Sequence, residues 1–136
     1  MPTLRFLAEL KSLAAIRSFV AEAATSLGAN SDTAEDLVQA VDEAATNIIL
    51  HGYAGKPGEI EVRVHCQAKS LVISLRDDAP AFDPTLVQPP DITLPLEKRP
   101  LGGLGIYIIR KSTDEIYHRL LPGGGNELTM IKYINP

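Results

Sequence analysis

The sequence has little that would bind nucleic acid or cross a membrane. Its 136 residues carry 13 Lys and Arg against 17 Asp and Glu, so we expect no basic surface for direct contact with nucleic acid or anionic lipid. No apolar run approaches the roughly 20 residues that span a bilayer, and the first residues lack the arrangement of a signal peptide, so we expect a cytoplasmic protein. The length and the 45% hydrophobic content predict one domain over residues 1–136.

The scarcity of cysteine excludes an internal disulfide. Cys66 is alone, and it alternates with apolar residues in the segment 60–66, which predicts a buried structural thiol on the inner face of a strand. The three histidines stand far apart, with neither metal-ligand spacing nor a Ser or Cys partner motif. We therefore expect no zinc site and no nucleophilic triad around His51, His65 and His118.

What is present is a clear alternation of helix and strand patterns. Apolar residues recur at helical spacing in three segments and at strand spacing in five, and a proline-rich stretch between them predicts a long loop. Asn30, Ser31 and Asp32 offer caps for the second helix, and Asp32 with Glu35 has capping-box spacing. The order is strand 3–9, helices 11–27 and 32–51, strands 59–67 and 70–78, loop 79–100, helix 102–111, and strands 114–121 and 127–134. Consecutive strands read as antiparallel hairpins, and the helices are too few and too clustered to be crossovers between parallel strands. This order predicts an α+β two-layer α/β sandwich, with the helices on one face of a mixed, mostly antiparallel sheet.

The first candidate site lies on the second helix. Glu43 and Asn47 are one helical turn apart and therefore share an edge of that helix. A carboxamide oxygen can ligate Mg²⁺, and a nearby carboxylate can orient or deprotonate a hydroxyl that attacks a phosphate. A solvated polar helix edge is the alternative interpretation.

Two further candidates follow along the chain. In RDDAPAFDP, a carboxylate at a strand end could accept a hydrogen bond from the exocyclic amine of adenine, although Asp77 and Asp78 could also be turn formers. In LGGLG, glycines at a helix start would let backbone N–H groups approach phosphates, or could serve as a hinge. Thr129 could reach a ligand or be an ordinary strand residue.

Taken in order, VDEAATNIILHGY, LRDDAPAFDP, RPLGGLGIYIIRKSTDEIYHR and GGGNELTMIKYI resemble the anti-sigma factor serine/threonine kinases. These are stand-alone Bergerat-fold ATPases related to the ATP-binding domains of histidine kinases. The resemblance covers about residues 35–134, and its specificity lies in the joint order and spacing of the four motifs. It implies a Bergerat-type sandwich that binds ATP and Mg²⁺.

The resemblance also implies roles for single residues. Asn47 would ligate Mg²⁺ and Glu43 would be the catalytic base, while Asp77, or Asp78 if the alignment shifts by one, would recognise adenine. The ATP lid would lie within about 79–100. The remaining nucleotide-binding positions implied are Ala79, Ala81, Gly102, Gly103, Leu104, Gly105 and Thr129.

Partners follow from the same resemblance. It implies a homodimeric anti-sigma factor that binds a sigma factor and phosphorylates a serine of an antagonist protein. One departure is present, because Ala79 and Ala81 occupy positions where the family commonly has glycine. The alternatives are therefore a non-catalytic partner-binding module of the same fold, with weak or no nucleotide binding, or a small α+β domain with another ligand.

Overall fold

The computed structural model describes residues 2–86 and 103–134, with Gly103 and Leu104 described by their backbone alone. Five strands and three α-helices are present in this part. The strands are β1 (Thr3–Leu7), β2 (Glu59–Gln67), β3 (Ser70–Asp77), β4 (Glu115–Leu120) and β5 (Asn126–Tyr133), and the helices are α1 (Leu13–Ser26), α2 (Ser31–Asn47) and α3 (Gly103–Ser112). Short 3₁₀ turns cover Leu10–Ser12 and Pro84–Leu86. Of the expected loop and lid, residues 87–100 lie outside the described part.

The strands form one sheet in the order β1-β2-β3-β5-β4, and every pairing among them is antiparallel. The helices pack on one face, where their apolar side chains meet the inward residues of the strands. The α+β two-layer sandwich is therefore confirmed. The core residues with no exposed surface include Ile16, Val20, Leu37, Val41, Ile60, Val62, Ile73, Leu75 and Met130.

The second helix begins after one of the three caps that the sequence offered and ends earlier than expected. Its cap is Asn30, whose side-chain oxygen accepts the Thr33 N–H at 2.8 Å, so Asn30 rather than Asp32 satisfies the first turn. The α-helix ends at Asn47, and a π-helical turn continues over Ile48–Gly52. A π-helical turn bonds residue i to residue i+5, and a short apolar pattern does not distinguish it from a further α-helical turn.

The prediction of a buried Cys66 is wrong. Ile60, Val62 and Val64 are buried on the inner face of β2, but Cys66 at the end of the strand is exposed. Its Sγ lies 3.6 Å from the carbonyl oxygen of Ala68 in the hairpin turn. The burial of β2 ends at Val64, and strand alternation alone cannot report where the covering helices stop.

The opposite face of the sheet carries charged and polar side chains. Glu61 accepts hydrogen bonds from Arg5 and Arg63, and Glu127 accepts them from Arg76 and Arg119 at 2.6 and 2.7 Å. These pairs identify the face that points away from the helices. Within the described residues, no helix is long and apolar enough to cross a bilayer.

Candidate functional site

A pocket lies between the C-terminal end of α2, α3 and the neighbouring ends of β3, β4 and β5. Most of its wall is apolar, and its polar groups come from four side chains. These are Asn47, Asp77, His118 and Asn126. The space open to a water-sized molecule is about 30 Å³, so the pocket must widen before a purine ring can enter it.

Asp77 forms the polar end of this pocket. It is the last residue of β3, is only 6% exposed, and its Oδ1 accepts the Ala79 N–H at 2.9 Å and the Asn126 amide at 3.0 Å. Its Oδ2 accepts no hydrogen bond from residues 2–86 or 103–134. Burial raises the pKa of Asp77, against the opposing effect of the two hydrogen bonds. The carboxylate therefore has one oxygen fixed by the protein and one available to a donor.

Asp78 has a different environment. Its side chain is exposed and lies near Arg5, Arg63 and Arg76 of the outer face, while its backbone N–H donates to the Tyr53 hydroxyl at 2.8 Å. Asp78 is not among the residues that line the pocket. The geometry therefore separates the two aspartates that the sequence left as alternatives, and only Asp77 meets the pocket.

Glu43 and Asn47 lie together beside the start of α3. A Cβ atom added to Gly105 would lie 3.1 Å from Asn47 Nδ2 and 3.4 Å from both Asn47 Oδ1 and Glu43 Oε2. No described residue makes a hydrogen bond or ion pair with either side chain. Burial, followed by repulsion from Asp42, raises the pKa of Glu43. The two side chains therefore lie against a residue that has no side chain of its own. We call Glu43, Asn47 and Gly105 together the cradle.

The alanines of the second motif are compatible with their backbone. Ala54 and Ala68 are the non-glycine residues of the described part with positive φ, so neither Ala79 nor Ala81 needs a left-handed conformation. Ala79 is buried and lines the pocket, and its Cβ lies 3.2 Å from the point where a Cβ atom added to Gly52 would be. Ala81 is exposed and outside the pocket lining.

The other glycine-motif positions are only partly described. Gly103 is the first residue of α3, and Gly105 is the glycine of the motif that lies beside the Asn47 side chain. Gly102 lies outside the described residues, and nothing is described of the Leu104 side chain. Their expected contacts with phosphate stay predictions.

The expectation that Thr129 reaches the pocket needs correction. In the register of β3 and β5, Thr129 opposes Ser74 and Leu128 opposes Leu75. Leu75 and Leu128 are buried under the helices, so Thr129 points to the outer face, where its hydroxyl lies 3.4 Å from that of Ser74. The alternation of Leu128 and Met130 in the sequence already carried this signal.

Two pocket residues were missed by the sequence argument. Asn126 at the start of β5 opposes Asp77, and His118 of β4 lies beside it, with its Nε2 2.9 Å from Asn126 Oδ1. Neither residue has a local sequence signal of its own, because both reach the site through strand pairing. The nearest available signal was the position of Asn126 directly after three glycines.

The residues at the cradle fit a magnesium ion. Within the described part, no group of three or more His, Cys, Asp or Glu side chains is arranged to hold a metal. Mg²⁺ commonly takes only one or two protein ligands and completes its octahedron with water and substrate phosphates. The Asn47 amide oxygen, which accepts no hydrogen bond from a described residue and lies beside the backbone of Gly105, meets that requirement.

Comparisons with known proteins identify the family of this chain. The histidine kinase-like ATPase domain family matches residues 6–132. The serine-protein kinases RsbW of Bacillus cereus (strain AH820) and Bacillus anthracis are each 34% identical over 93% of this chain and 81% of their own length.

Two solved structures share the fold. The RsbU and RsbW domains of a Mycobacterium tuberculosis protein superpose with a TM-score of 0.64 at 18% identity, covering all of this chain and 34% of that one. The Acinetobacter baumannii histidine kinase AdeS superposes with a TM-score of 0.52 at 12% identity, covering all of this chain and 70% of that one. The chain thus spans about a third of the mycobacterial chain in that structure. It belongs to the histidine kinase-like ATPase domain family, in the group that contains the serine-protein kinases RsbW.

Proposed function

We propose that this protein is a Mg-ATP-dependent protein serine kinase that acts as an anti-sigma factor in a partner switch. The observation that carries the proposal is the cradle at Gly105, where the Asn47 amide and the Glu43 carboxylate meet the N-terminal turn of α3. A helix start presents free backbone N–H groups, and a glycine there leaves room for phosphate oxygens. The 34% identity to the serine-protein kinases RsbW supports the same activity.

In this proposal, Glu43 is the catalytic base. Its carboxylate takes the proton of the acceptor serine as the serine oxygen bonds to the γ-phosphorus, while the bond to the β–γ bridging oxygen breaks and ADP leaves with that electron pair. The raised pKa of Glu43 makes it a stronger base than an exposed glutamate. Mg²⁺, held through Asn47, would neutralise charge on the phosphates. Asn47 and Gly105 thereby fix where the phosphates lie relative to Glu43.

At the other end of the pocket, Asp77 would recognise the base. Its Oδ2 accepts no hydrogen bond from the described residues, so it can accept one from the exocyclic amine of adenine. The surrounding apolar wall, formed in part by Ala44, Ile48 and Leu128, would pack against the ring. Entry of the ring requires the wall to move, and the half-exposed Phe82 belongs to its outer part.

The partners proposed are those of the RsbW-like group. A sigma factor would be bound and sequestered, and an antagonist protein would carry the acceptor serine. We also propose a cytoplasmic location and, as the family resemblance implies, a homodimer. An antagonist that competes for the kinase and is inactivated by phosphorylation would make the release of the sigma factor depend on ATP.

The decisive experiment is calorimetric titration of the protein with ATP, with and without Mg²⁺, for the wild type and Asn47→Ala. We expect micromolar binding that needs Mg²⁺ and weakens at least about tenfold in the variant, as for loss of one charged contact. Glu43→Gln should retain binding and lose transfer to the antagonist serine. Unchanged transfer by Glu43→Gln would refute the role of Glu43.

A second candidate is a partner-binding module of the same fold that transfers nothing. The observation that favours it is the near closure of the pocket, with the Ala79 side chain in the wall against Gly52. Partner binding with no calorimetric signal for ATP would establish this alternative. Widening the pocket by Ala79→Gly should then restore nucleotide binding if the methyl group is what excludes it.

A further inference from the structure

The side chain of Asn126 makes more polar contacts than any other side chain lining the pocket. Its amide nitrogen donates to Asp77 Oδ1 at 3.0 Å and to the carbonyl oxygens of Pro80 at 3.1 Å and Ala79 at 3.2 Å. Its Oδ1 accepts the Phe82 N–H at 3.1 Å. One buried side chain therefore joins the end of β3 to three of the four residues that follow Asp78.

The orientation of this amide is set by its partners. The backbone N–H of Phe82 can only donate and the carbonyl oxygens can only accept, so Oδ1 must face Phe82 and the nitrogen must face Asp77. His118 Nε2 lies 2.9 Å from the same Oδ1 and must therefore be the donor. The other ring nitrogen, Nδ1, lies 3.7 Å from Asp83 Oδ2. His118 thereby holds Asn126 from the neighbouring strand.

The backbone also brings Asn126 close to Asp77. Gly125 has a φ of +96°, and a Cβ added there would lie 2.3 Å from the Asp77 carbonyl oxygen. No side chain fits in that space, so only glycine lets β5 begin so near to the end of β3. The approach of the two strand ends is thus built into the fold.

From this geometry we infer that Asn126, oriented by His118, is a positioning residue that determines the base specificity of the nucleotide site. The inference rests on the proposed function. The terminal torsion of an aspartate is broad, so an isolated carboxylate can turn either oxygen towards a ligand. With Oδ1 held by Asn126 and the Ala79 N–H, only Oδ2 is presented to the pocket. The fixed acceptor oxygen selects a purine with an amino group at position 6 over a purine with a carbonyl group at the same position.

The test compares ATP with inosine triphosphate, which has a carbonyl group in place of the 6-amino group. Binding constants with Mg²⁺ are measured by calorimetry for the wild type and Asn126→Ala. The wild type should prefer ATP by at least about tenfold, the worth of one hydrogen bond to a charged group. Asn126→Ala should reduce this preference to below about threefold, while its affinity for inosine triphosphate stays near that of the wild type.

His118 variants test the same inference without removing the buried amide. His118→Ala should lower the preference for ATP, and His118→Gln should restore most of it, because the glutamine amide can place a donor near the position of Nε2. Thr113→Val is the matched control, since Thr113 does not line the pocket and its replacement removes a buried hydrogen bond, the one to the Ile109 carbonyl oxygen. It should lower the melting temperature and leave the preference for ATP unchanged.

The outcomes separate the two proposals. If the wild type binds no ATP, the proposed function fails and this inference fails with it. If the wild type binds ATP with the expected preference and Asn126→Ala and His118→Ala keep it, the positioning role alone is refuted. An equal loss of affinity for both nucleotides in these variants would likewise show a structural role and overturn the inference.

Discussion

Replacing Gly105 by alanine should make the protein more stable and the nucleotide site weaker. Gly105 lies in α3 and its φ is not positive, so alanine suits the backbone and should raise the free energy of unfolding by up to about 1 kcal/mol. The added Cβ would lie 3.1 Å from Asn47 Nδ2 and 3.4 Å from Glu43 Oε2. The distance to Asn47 Nδ2 is a few tenths of an ångström too short, so the Asn47 amide must move, whereas 3.4 Å from Glu43 Oε2 is close to an ordinary contact.

The size of the functional effect follows from that displacement. A shift of a few tenths of an ångström in the Asn47 amide weakens the metal contact and moves the phosphates relative to Glu43, so we expect at least about a tenfold loss of Mg-ATP affinity and a larger loss of transfer rate. Calorimetry and urea unfolding measure the two effects on the same sample. Ser18→Ala is the matched control, because Ser18 is exposed in α1 and its replacement should raise stability through helix propensity alone.

One result would refute this reasoning. If Gly105→Ala binds Mg-ATP and transfers phosphate as the wild type does, the contact between α3 and the side chains of Asn47 and Glu43 does not control the site. A loss of stability in Gly105→Ala would be a separate contradiction, since it would mean that the added methyl group strains the core.

Three further predictions concern pH, catalysis and the backbone. Because burial raises the pKa of Asp77, its ionisation destabilises the folded state above its ordinary value of 3.8, so stability should fall as pH rises through the folded pKa. Asp77→Asn can keep both hydrogen bonds to its retained oxygen and should be more stable than the wild type at pH 7, because a raised pKa corresponds to about 1.4 kcal/mol per pH unit. Denaturation between pH 4 and 8 should show this difference in stability shrink at low pH. A difference that stays constant with pH would contradict the prediction. The transfer rate should increase with pH through the raised pKa of Glu43, above its ordinary 4.5, and a rate–pH profile without that step would contradict Glu43 as the base. Ala68→Gly should stabilise the β2–β3 turn by about 0.5–1 kcal/mol, because Ala68 has a φ of 55°. Ala15→Gly within α1 should destabilise the protein by a similar amount. If thermal unfolding shows both variants shifting the melting temperature in the same direction, the argument is refuted.

Local spacing determined much of this protein in advance. The order of helices and strands follows from apolar periodicity, and the Glu43–Asn47 pair follows from the fixed rotation of an α-helix, which brings residues one turn apart together whatever surrounds them. The glycine motif could likewise be placed at a helix start, because it precedes an apolar helical pattern. These features depend only on neighbours in the chain.

Tertiary structure decided the rest of the site. Whether Asp77 or Asp78 meets the pocket depends on which face of β3 the helices cover, and the same choice places Thr129 on the outer face and leaves Cys66 beyond the covered part of β2. Asn126 and His118 join Asp77 only because β3, β5 and β4 are adjacent in the sheet. A strand offers its residues to both faces equally, so its sequence specifies an alternation, and the packing of distant elements decides which half of that alternation becomes the site.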